Sequence, residues 1–417
     1  MTDIQRIARK ITLTLFITQS LASAGFIAVA TINPILGAKL AASRSLATLP
    51  AAVYLLSGAL SASAWGYFMD RLGRRNAIVA GLVLGIFGNG LVLVAIQSAS
   101  FLLLLMGLVL MGMTNSAITL GRFAAAESNP PDQRGRAIAA VVLGGVVGTI
   151  LTRVSAVPMG SFAVSIGMDE LAGAYLATLV LFALASVFVF AGLRPDPREV
   201  GKEVAKLYPE AIPQGQARPL SQILRQPAVI TAVTAMALGQ VVMVAIMVIT
   251  SLHMEDHHHA RSDIYSVISA HTFGMFAPSI ISGWLLDRWG RGRMIVIGAA
   301  TLLLACLTAP LSPDVLPLGI SLFLLGLGWN FCFVGGSTLL SDQLSPLERS
   351  RTQGTNDLLV GLASAFISLS SGFIFSATSY TVMSLIAAAI SLAPLLMAWT
   401  FLRPRVDALP ISGNPSG

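Results

Sequence analysis

The amino-acid sequence predicts an all-α membrane protein in which twelve transmembrane helices form two halves of six. Three observations predict this class. Hydrophobic residues make up 55% of the chain and charged residues only 11%, against about 25% charged residues in an ordinary soluble protein. The apolar residues gather into twelve runs, each near the roughly 20 residues that a helix needs to cross a bilayer. Two polar loops of the first six runs also recur in the second six.

The apolar runs give the predicted helices in order. The first half supplies helices at 11–36, 46–68, 76–96, 101–125, 136–157 and 171–193. The second half supplies helices at 228–252, 264–286, 294–311, 316–340, 353–377 and 381–402. The start of the chain also resembles a signal peptide, with basic residues and an "ASA" site, but its apolar run is too long for a signal core. We therefore expect a retained first helix.

The basic residues indicate how these helices are oriented. With the N-terminus in the cytoplasm, 21 of the 26 lysines and arginines fall in cytoplasmic segments, and 4 fall on the opposite side. Cytoplasmic loops of membrane proteins carry such an excess of positive charge. The asymmetry explains the net charge of +7 without a nucleic-acid partner, and it predicts that both chain ends are cytoplasmic.

A long polar segment divides the chain. We expect an N-terminal six-helix half at 1–193, a cytoplasmic linker at 194–227, a C-terminal six-helix half at 228–402 and a cytoplasmic tail at 403–417. Each half carries the same two loops. "GYFMDRLGRR" at 66–75 returns as "GWLLDRWGRGR" at 283–293, and "ESNPPDQRGR" at 127–136 returns as "DQLSPLERSR" at 342–351. Because both copies fall on the same membrane side, the repeat is parallel.

The repeated loops resemble those of the major facilitator superfamily. The first copy of its Gly-x-x-x-Asp-Arg-x-Gly-Arg-Arg motif consists of Gly66, Asp70, Arg71, Gly73, Arg74 and Arg75. The second consists of Gly283, Asp287, Arg288, Gly290, Arg291 and Arg293, with Gly292 interrupting the basic pair. The resemblance implies the major facilitator fold and a transporter that locks its cytoplasmic side through these loops. Glu127 and Asp342 resemble the carboxylate partners of that lock. The alternative is that the arginines only anchor the topology.

The seventh and eighth helices carry soft metal ligands. Met243 and Met247 are four residues apart and so share one helix face, as do His271 and Met275. Counted from the loop between the helices, they lie at overlapping depths of roughly 9 to 18 Å, at 1.5 Å per residue. Thioether and imidazole groups suit soft or borderline ions, above all Cu(I). Methionine is also a common apolar filler, and a membrane histidine can be a proton relay.

The four methionine and histidine residues of these helices also show a resemblance to a narrower group of transporters. Met-x-x-x-Met in the seventh helix and His-x-x-x-Met in the eighth are similar to the signature of the CcoA-type copper importers. The resemblance implies that Met243, Met247, His271 and Met275 bind copper as the transported substrate, with no prosthetic group. It also implies copper supply for assembly of cbb-type haem–copper cytochrome oxidase. Whether the methionine and histidine faces meet stays open at this point.

Two further sets of residues are candidates. The loop between these helices could collect metal at the periplasmic mouth, or it could be a solvated loop without that role; its residues are His253, Met254, His257, His258 and His259. Arg122 and Asp357 could pair across the halves, since intramembrane charges usually find partners.

The sequence therefore predicts a monomeric transporter of the bacterial inner membrane that imports copper by alternating access. Its expected partners are the lipid bilayer, free or chelated copper and cytoplasmic copper-handling proteins. One rival is a proton-coupled exporter of an organic compound with His271 as proton carrier; another is a membrane metal sensor that does not transport. An enzyme is not expected, since no nucleophile–base set stands out. Transport direction, coupling ion, copper oxidation state and the role of Cys306 and Cys332 are not determined by the residues.

Overall fold

A computed structural model describes residues 3–131, 133–208 and 218–402 of the protein. The predicted tail at 403–417 and the linker residues 209–217 lie outside the described residues. All regular elements in the described part are helical. The helices are α1 (Asp3–Leu40), α2 (Leu49–Leu72), α3 (Arg74–Gln97), α4 (Phe101–Glu127), α5 (Arg134–Val142), α6 (Gly144–Ser165), α7 (Ala172–Gly192), α8 (Pro197–Leu207), α9 (Leu220–Leu224), α10 (Pro227–Asp256), α11 (Arg261–Phe276), α12 (Ser279–Trp289), α13 (Arg291–Thr308), α14 (Val315–Asp342), α15 (Pro346–Ala377) and α16 (Tyr380–Leu402).

These helices confirm the predicted all-α membrane class. Within the described residues, 11 segments are long and apolar enough to cross a membrane, and one of them is formed by α5 together with α6. The twelfth crossing is made by α11 and α12, which are too short individually to qualify. The two remaining helices, α8 and α9, lie in the predicted linker. The first predicted helix is present as α1, which packs between α6 and α7.

The eighth crossing differs from the sequence prediction, which expected one helix over 264–286. Its first piece, α11, ends at Phe276, and its second piece, α12, begins at Ser279. Pro278 explains the interruption, because proline has no N–H to donate and its ring clashes with the preceding turn. The interruption comes directly after Met275, one of the predicted copper ligands.

Large apolar side chains cover the outer surface of the helix bundle. Leu102 is 68% exposed and Phe366 is 73% exposed. In water such a surface would be unfavourable, but in a bilayer it contacts hydrocarbon. The outer surface therefore agrees with a multi-pass membrane protein.

The two predicted halves contact each other along α2 with α15 and along α6 with α11. Small residues allow one of these contacts, because a Cβ atom built on Gly361 in α15 would lie 2.6 Å from the Cβ of Ala59 in α2. The loops at Gly73 and Gly290 lie at one end of the bundle, which we name the motif end. The loop at 257–260 lies at the other, which we name the histidine-loop end. The domain boundaries given above stay predictions.

Candidate functional site

The two methionines of α10 lie inside the bundle. Met243 is 4% exposed and belongs to a large hydrophobic cluster that both halves share. Met247 is half-buried and packs against the same cluster. One turn further toward the motif end, Gln240 accepts a hydrogen bond from the indole nitrogen of Trp329 in α14, at 2.5 Å. This bond fixes the methionine face of α10 relative to α14.

His271 lies on α11, and its side chain is fully buried. Its Nδ1 atom lies 3.0 Å from the carbonyl oxygen of Leu322 in α14. Because a carbonyl oxygen only accepts, Nδ1 carries the hydrogen in this contact. The neutral ring then presents a lone pair at Nε2, which is buried without a hydrogen-bond partner. A metal-binding histidine has this form, with one nitrogen held by a carbonyl and the other available as a ligand.

Two glycines bring α11 against α14. A Cβ atom on Gly274 would lie 2.4 Å from the carbonyl oxygen of Phe323, and one on Gly326 would lie 2.2 Å from that of His271. Real Cβ atoms do not approach backbone so closely, so only glycine permits this packing. The close packing places the His271 ring beside the Leu322 carbonyl. Met275, one turn further along α11, is half-buried and packs against the same cluster as Met243.

The four predicted copper ligands therefore lie on two helices that both pack against α14. Of these helices, α11 contacts α14 much more extensively than it contacts α10. The described residues contain no group of three or more His, Cys, Asp and Glu side chains that could hold a metal ion. A metal site here would consequently depend on the thioether groups. Whether the two faces converge stays a prediction.

The motif loops form ion pairs, and each described pair lies within one half. Arg74 donates to Asp70 at 2.8 Å and to Glu127 at 3.0 Å. In the second half, Arg291 donates to Asp342 at 2.8 Å. The side chain of Asp287 lies outside the described residues.

The other motif residues shape the loops or cover them. Gly73 has φ +87° and Gly290 has φ +83°, values that favour glycine. Arg71 donates to the hydroxyl of Tyr67 at 2.7 Å. The Arg75 guanidinium lies over the Phe190 ring and that of Arg288 over the Trp284 ring. A Cβ atom on Gly66 or Gly283 would meet no atom within 4 Å. Their role as a lock stays a prediction.

Comparison with known proteins identifies the fold's relatives. A family model described as Major Facilitator Superfamily matches residues 15–258 and 239–416. The chain belongs to the major facilitator superfamily. It is 34% identical over 383 residues to the uncharacterized MFS-type transporter YdeG of Bacillus subtilis, covering 90% of this chain and 88% of that protein. It is 31% identical over 367 residues to the riboflavin transporter RfnT of Brucella anthropi, covering 86% and 87%.

Solved structures agree at the level of the fold. The xylose transporter XylE of E. coli, in a partially occluded inward-open conformation, superposes with a TM-score of 0.69 at 14% identity and covers 98% of this chain and 100% of that one. The human organic anion transporter MFSD10 superposes with a TM-score of 0.64 at 16% identity, covering 94% and 99%. The protein is thus a transporter of the major facilitator superfamily, a family of membrane carriers.

The linker of this transporter is tied to each half by residues that the sequence analysis missed. Asp196 accepts from the backbone amides of Arg74 and Arg75 at 3.1 and 3.0 Å, and it caps α8 by accepting from Arg198. The run "PDPRE" carries a signal for this cap, because Asp before Pro at the first helical position is a typical helix start. Asp196 therefore joins the linker to the first motif loop.

An equivalent contact joins the linker to the second half. Glu348 accepts from the Arg218 side chain through both of its oxygens, at 2.8 Å each, and from the Arg218 backbone amide. These hydrogen bonds hold the pKa of the Glu348 carboxyl well below its usual range. Glu348 also belongs to a capping box with Ser345 at the start of α15. The Ser-Pro-Leu-Glu run predicts that box, but nothing in the sequence indicates its partner Arg218.

Among the histidines of the predicted capture loop, the His253 and His257 rings contact each other edge to face, with centroids 4.4 Å apart. The His253 ring stacks on Tyr380 with centroids 4.2 Å apart, and the His257 Nδ1 atom lies 2.8 Å from the His253 carbonyl oxygen. His259 Nε2 lies 2.9 Å from the Pro313 carbonyl oxygen. Met254 is fully buried in the hydrophobic cluster, while His258 is exposed. The structure therefore does not bring these five side chains together, and metal capture stays a prediction.

Ion pairs close the histidine-loop end between the two halves. Arg44 of the first half pairs with Asp256 of the second. Arg261 pairs with Glu255 in its own half and lies 3.9 Å from Glu170 in the other. A cavity of about 490 Å³ lies among these residues. Lys39 pairs with Asp169. Burial of the Asp169 carboxyl raises its pKa, but the Lys39 ion pair and the hydrogen bond from the Leu171 amide outweigh this effect, and the pKa of Asp169 is lowered.

The predicted Arg122–Asp357 pair would join the two halves, but its two side chains do not form a direct ion pair in the described structure. The two charges are near enough to interact electrostatically. No direct ion pair between them occurs among the described salt bridges, and the Arg122 guanidinium lies over the Phe123 ring. Their pairing stays a prediction.

Proposed function

We propose that this transporter imports copper, in the soft Cu(I) form, by alternating access. The observation that carries the proposal is the state of His271. Its Nδ1 is held by the Leu322 carbonyl, and its Nε2 lone pair is buried without a partner. A buried polar atom left without a hydrogen bond costs about 1–3 kcal/mol. A ligand that binds Nε2 would remove this cost.

Three thioether groups supply the remaining ligands in this proposal. Met243, Met247 and Met275 are uncharged, so the empty site holds no buried unpaired anion. Sulfur and imidazole ligands favour Cu(I) over hard cations such as Ca²⁺, which prefer oxygen. A site without thiolate also releases its ion more readily, which transport requires.

The distribution of basic residues supports an orientation for the cycle. The motif end would face the cytoplasm of a bacterial inner membrane, with both chain ends on that side. In the closed arrangement at the histidine-loop end, the copper site would be cut off from the periplasm. The motif loops would close the opposite side when the halves rock the other way.

The proposal extends to partners through the resemblance to the CcoA-type importers. The imported copper would supply assembly of cbb-type haem–copper oxidase and would pass to cytoplasmic copper-handling proteins. The transporter would act as a monomer in the lipid bilayer. Residues His253, His257, His258 and His259 would collect copper at the periplasmic mouth, with Met254 contributing only after the buried end of α10 rearranges.

Copper accumulation in cells tests the proposal. Cells that make the intact protein should accumulate more copper than cells lacking it, and both His271→Ala and the double change Met243→Leu with Met247→Leu should remove the difference. Met294→Leu is a matched control, because Met294 is fully buried in α13 away from the site. Equal accumulation with intact protein, deletion and His271→Ala would end the importer proposal.

An organic solute is the second candidate, because the relative RfnT carries the name riboflavin transporter. In support of this candidate, the Trp329 and Phe333 rings of α14 stack with centroids 5.0 Å apart beside Gln240 and offer a surface for a flat molecule. Riboflavin uptake by the Met243→Leu, Met247→Leu variant separates the candidates. Undiminished riboflavin uptake, together with absent copper uptake by intact protein, would favour the organic solute. Copper binding without flux would favour a sensor.

A further inference from the structure

Asn330 lies in α14 beside the interruption between α11 and α12. Its side chain is 2% exposed. The Nδ2 atom donates to the carbonyl oxygen of Met275 and to Oγ of Ser279, at 2.7 Å each. The Oδ1 atom accepts from Oγ of Ser282 at 2.6 Å. All three partners flank the interruption, one on the α11 side and two on the α12 side.

The interruption of the helix explains why a hydrogen-bonding side chain is needed at this position. In a continuous helix the Met275 carbonyl would accept from the amide of residue 279, and the Gly274 carbonyl from the amide of residue 278. Residue 278 is proline and has no amide hydrogen. Carbonyl groups freed inside a membrane protein must be satisfied by neighbouring side chains or backbone. Asn330 donates to the neighbouring Met275 carbonyl, and its other hydrogen bonds go to Ser279 and Ser282 on the α12 side.

The two pieces of the eighth crossing are held differently. The first piece, α11, is fixed to α14 by the backbone contacts at Gly274 and Gly326 and by the His271–Leu322 hydrogen bond. These contacts do not involve Asn330. The second piece, α12, leads into the Gly290 loop, where Arg291 pairs with Asp342. Asn330 is the buried polar side chain that contacts both pieces.

We propose that Asn330 is a positioning residue that couples the proposed copper site on α11 to the motif loop at the end of α12. The inference rests on the proposed function for the identity of the substrate. The Asn330 hydrogen bonds hold α12 at a fixed angle to α11, so movement of the motif loop is transmitted to Met275. Without them, the ligands stay in place on α11, and α12 moves independently of the site.

Copper uptake and copper affinity should therefore respond differently to Asn330→Leu, which keeps the number and branching of the side-chain heavy atoms and removes all three bonds. The maximal uptake rate in cells should fall at least tenfold. The Cu(I) affinity of the purified protein, measured by competition with a chromophoric chelator, should stay within threefold of the intact protein. Ser321→Ala is the control, because Ser321 is buried in the same helix and bonds to Thr308, away from the interruption; neither quantity should change.

Either of two results would overturn the coupling role. Uptake within twofold of the intact protein would mean that Asn330 has no such role, and equal losses of uptake and affinity would mean that it only shapes the site. If Asn330→Leu does not fold, Ser282→Ala removes one of the bonds, and its uptake and affinity are compared in the same way.

A distance measurement keeps the test independent of the substrate. Spin labels at the exposed positions Ile281 in α12 and Leu316 in α14 report the angle of α12. Asn330→Leu should broaden their distance distribution, and Ser321→Ala should not. An unchanged distribution would overturn the inference. If the intact protein neither binds nor imports copper, the proposed function fails, and this measurement alone decides the role of Asn330.

Discussion

The His271 side chain combines two features that rarely occur together in a membrane-spanning segment. It is fully buried, and one ring nitrogen has a fixed partner while the other has none. A proton carrier would need contact with water or a carboxylate at some stage of its cycle. In this structure Nε2 is buried and has no hydrogen-bond partner.

The first motif contains two glycines with different structural roles. Gly73 has φ +87° and ψ 160°, and a Cβ atom there would lie 2.7 Å from Oδ2 of Asp196. We expect Gly73→Ala to lower the free energy of unfolding by about 1–3 kcal/mol, the cost of holding a non-glycine residue in this backbone region. Thermal unfolding of the purified protein in detergent measures the effect.

Gly66→Ala is the matched control for this prediction. Gly66 lies within α2, and a Cβ atom there meets nothing within 4 Å. Alanine is the better helix former by about 0.5–1 kcal/mol, so this variant should be at least as stable as the intact protein. A Gly73→Ala variant as stable as Gly66→Ala would contradict the assigned backbone role.

At the scale of elements, α14 organises the C-terminal half. It contacts α10, α11 and α13, and it supplies a partner for each side of the proposed site. Trp329 bonds to Gln240 on α10, the Leu322 carbonyl bonds to His271, and Asn330 bonds across the interruption. The position of α14 therefore determines how the methionine face of α10 and the histidine face of α11 lie relative to each other.

Gly326→Ala tests the dependence of the site on α14. The new Cβ atom would lie 2.2 Å from the His271 carbonyl oxygen, so α11 must move away from α14. We expect a loss of about 1–3 kcal/mol in unfolding free energy, as for other overpacked positions, and a loss of Cu(I) affinity of at least tenfold. Thermal unfolding and chelator competition measure the two effects.

Gly319→Ala provides the comparison on the same helix. Gly319 lies near the start of α14, about two turns before Gly326, and a Cβ atom there meets nothing within 4 Å. This variant should keep the stability and affinity of the intact protein. Full affinity in Gly326→Ala would show that the spacing of α11 and α14 does not control the site.

At the scale of the whole molecule, the described ion pairs at the two ends differ. Those at the histidine-loop end include contacts between the halves, through Arg44 and Arg261. Those of the motif loops, Arg74–Glu127 and Arg291–Asp342, lie within one half. The described ion pairs that join the two halves therefore lie at the histidine-loop end. In an alternating-access cycle, opening of that end requires the Arg44–Asp256 pair to break.

Removal of the Arg44 charge should shift the molecule toward opening at the histidine-loop end. Ala38 lines the cavity at this end, and Ala38→Cys provides a thiol there. Arg44→Ala should raise the rate at which a maleimide modifies this thiol by up to about fivefold. The effect is small because an exposed ion pair contributes about 0–1 kcal/mol. Cys306 and Cys332 are buried, so the introduced thiol dominates the modification rate.

Two further variants complete this measurement. Reversal of both charges, with Arg44→Asp and Asp256→Arg, should restore the slow modification rate. Lys202→Ala is the control, because Lys202 pairs with Glu199 within α8 and not between the halves. An unchanged rate in Arg44→Ala would mean that this pair does not hold the end closed.

Much of the architecture followed from the sequence because each signal is local. Apolar runs of about 20 residues predicted the crossings, and the positions of glycine and charge in "GYFMDRLGRR" and "GWLLDRWGRGR" indicated the family. Pro278 was visible in the eighth run, but the prediction of a continuous helix was wrong at that point. A proline inside a transmembrane helix can be accommodated, and the hydrogen bonds that Asn330 makes across the interruption come from a distant part of the sequence.

The sequence by itself determined the membrane class, the parallel repeat, the family and the placement of methionine and histidine residues on one face of each of two helices. The tertiary structure alone decided the partners of those residues: the Leu322 carbonyl for His271, Asn330 for the Met275 carbonyl, Arg218 for Glu348 and Asp256 for Arg44. Helix periodicity gives the face on which a residue lies, but not the helix that it meets. That choice depends on long-range packing, here on the close approach of α11 and α14 at Gly274 and Gly326.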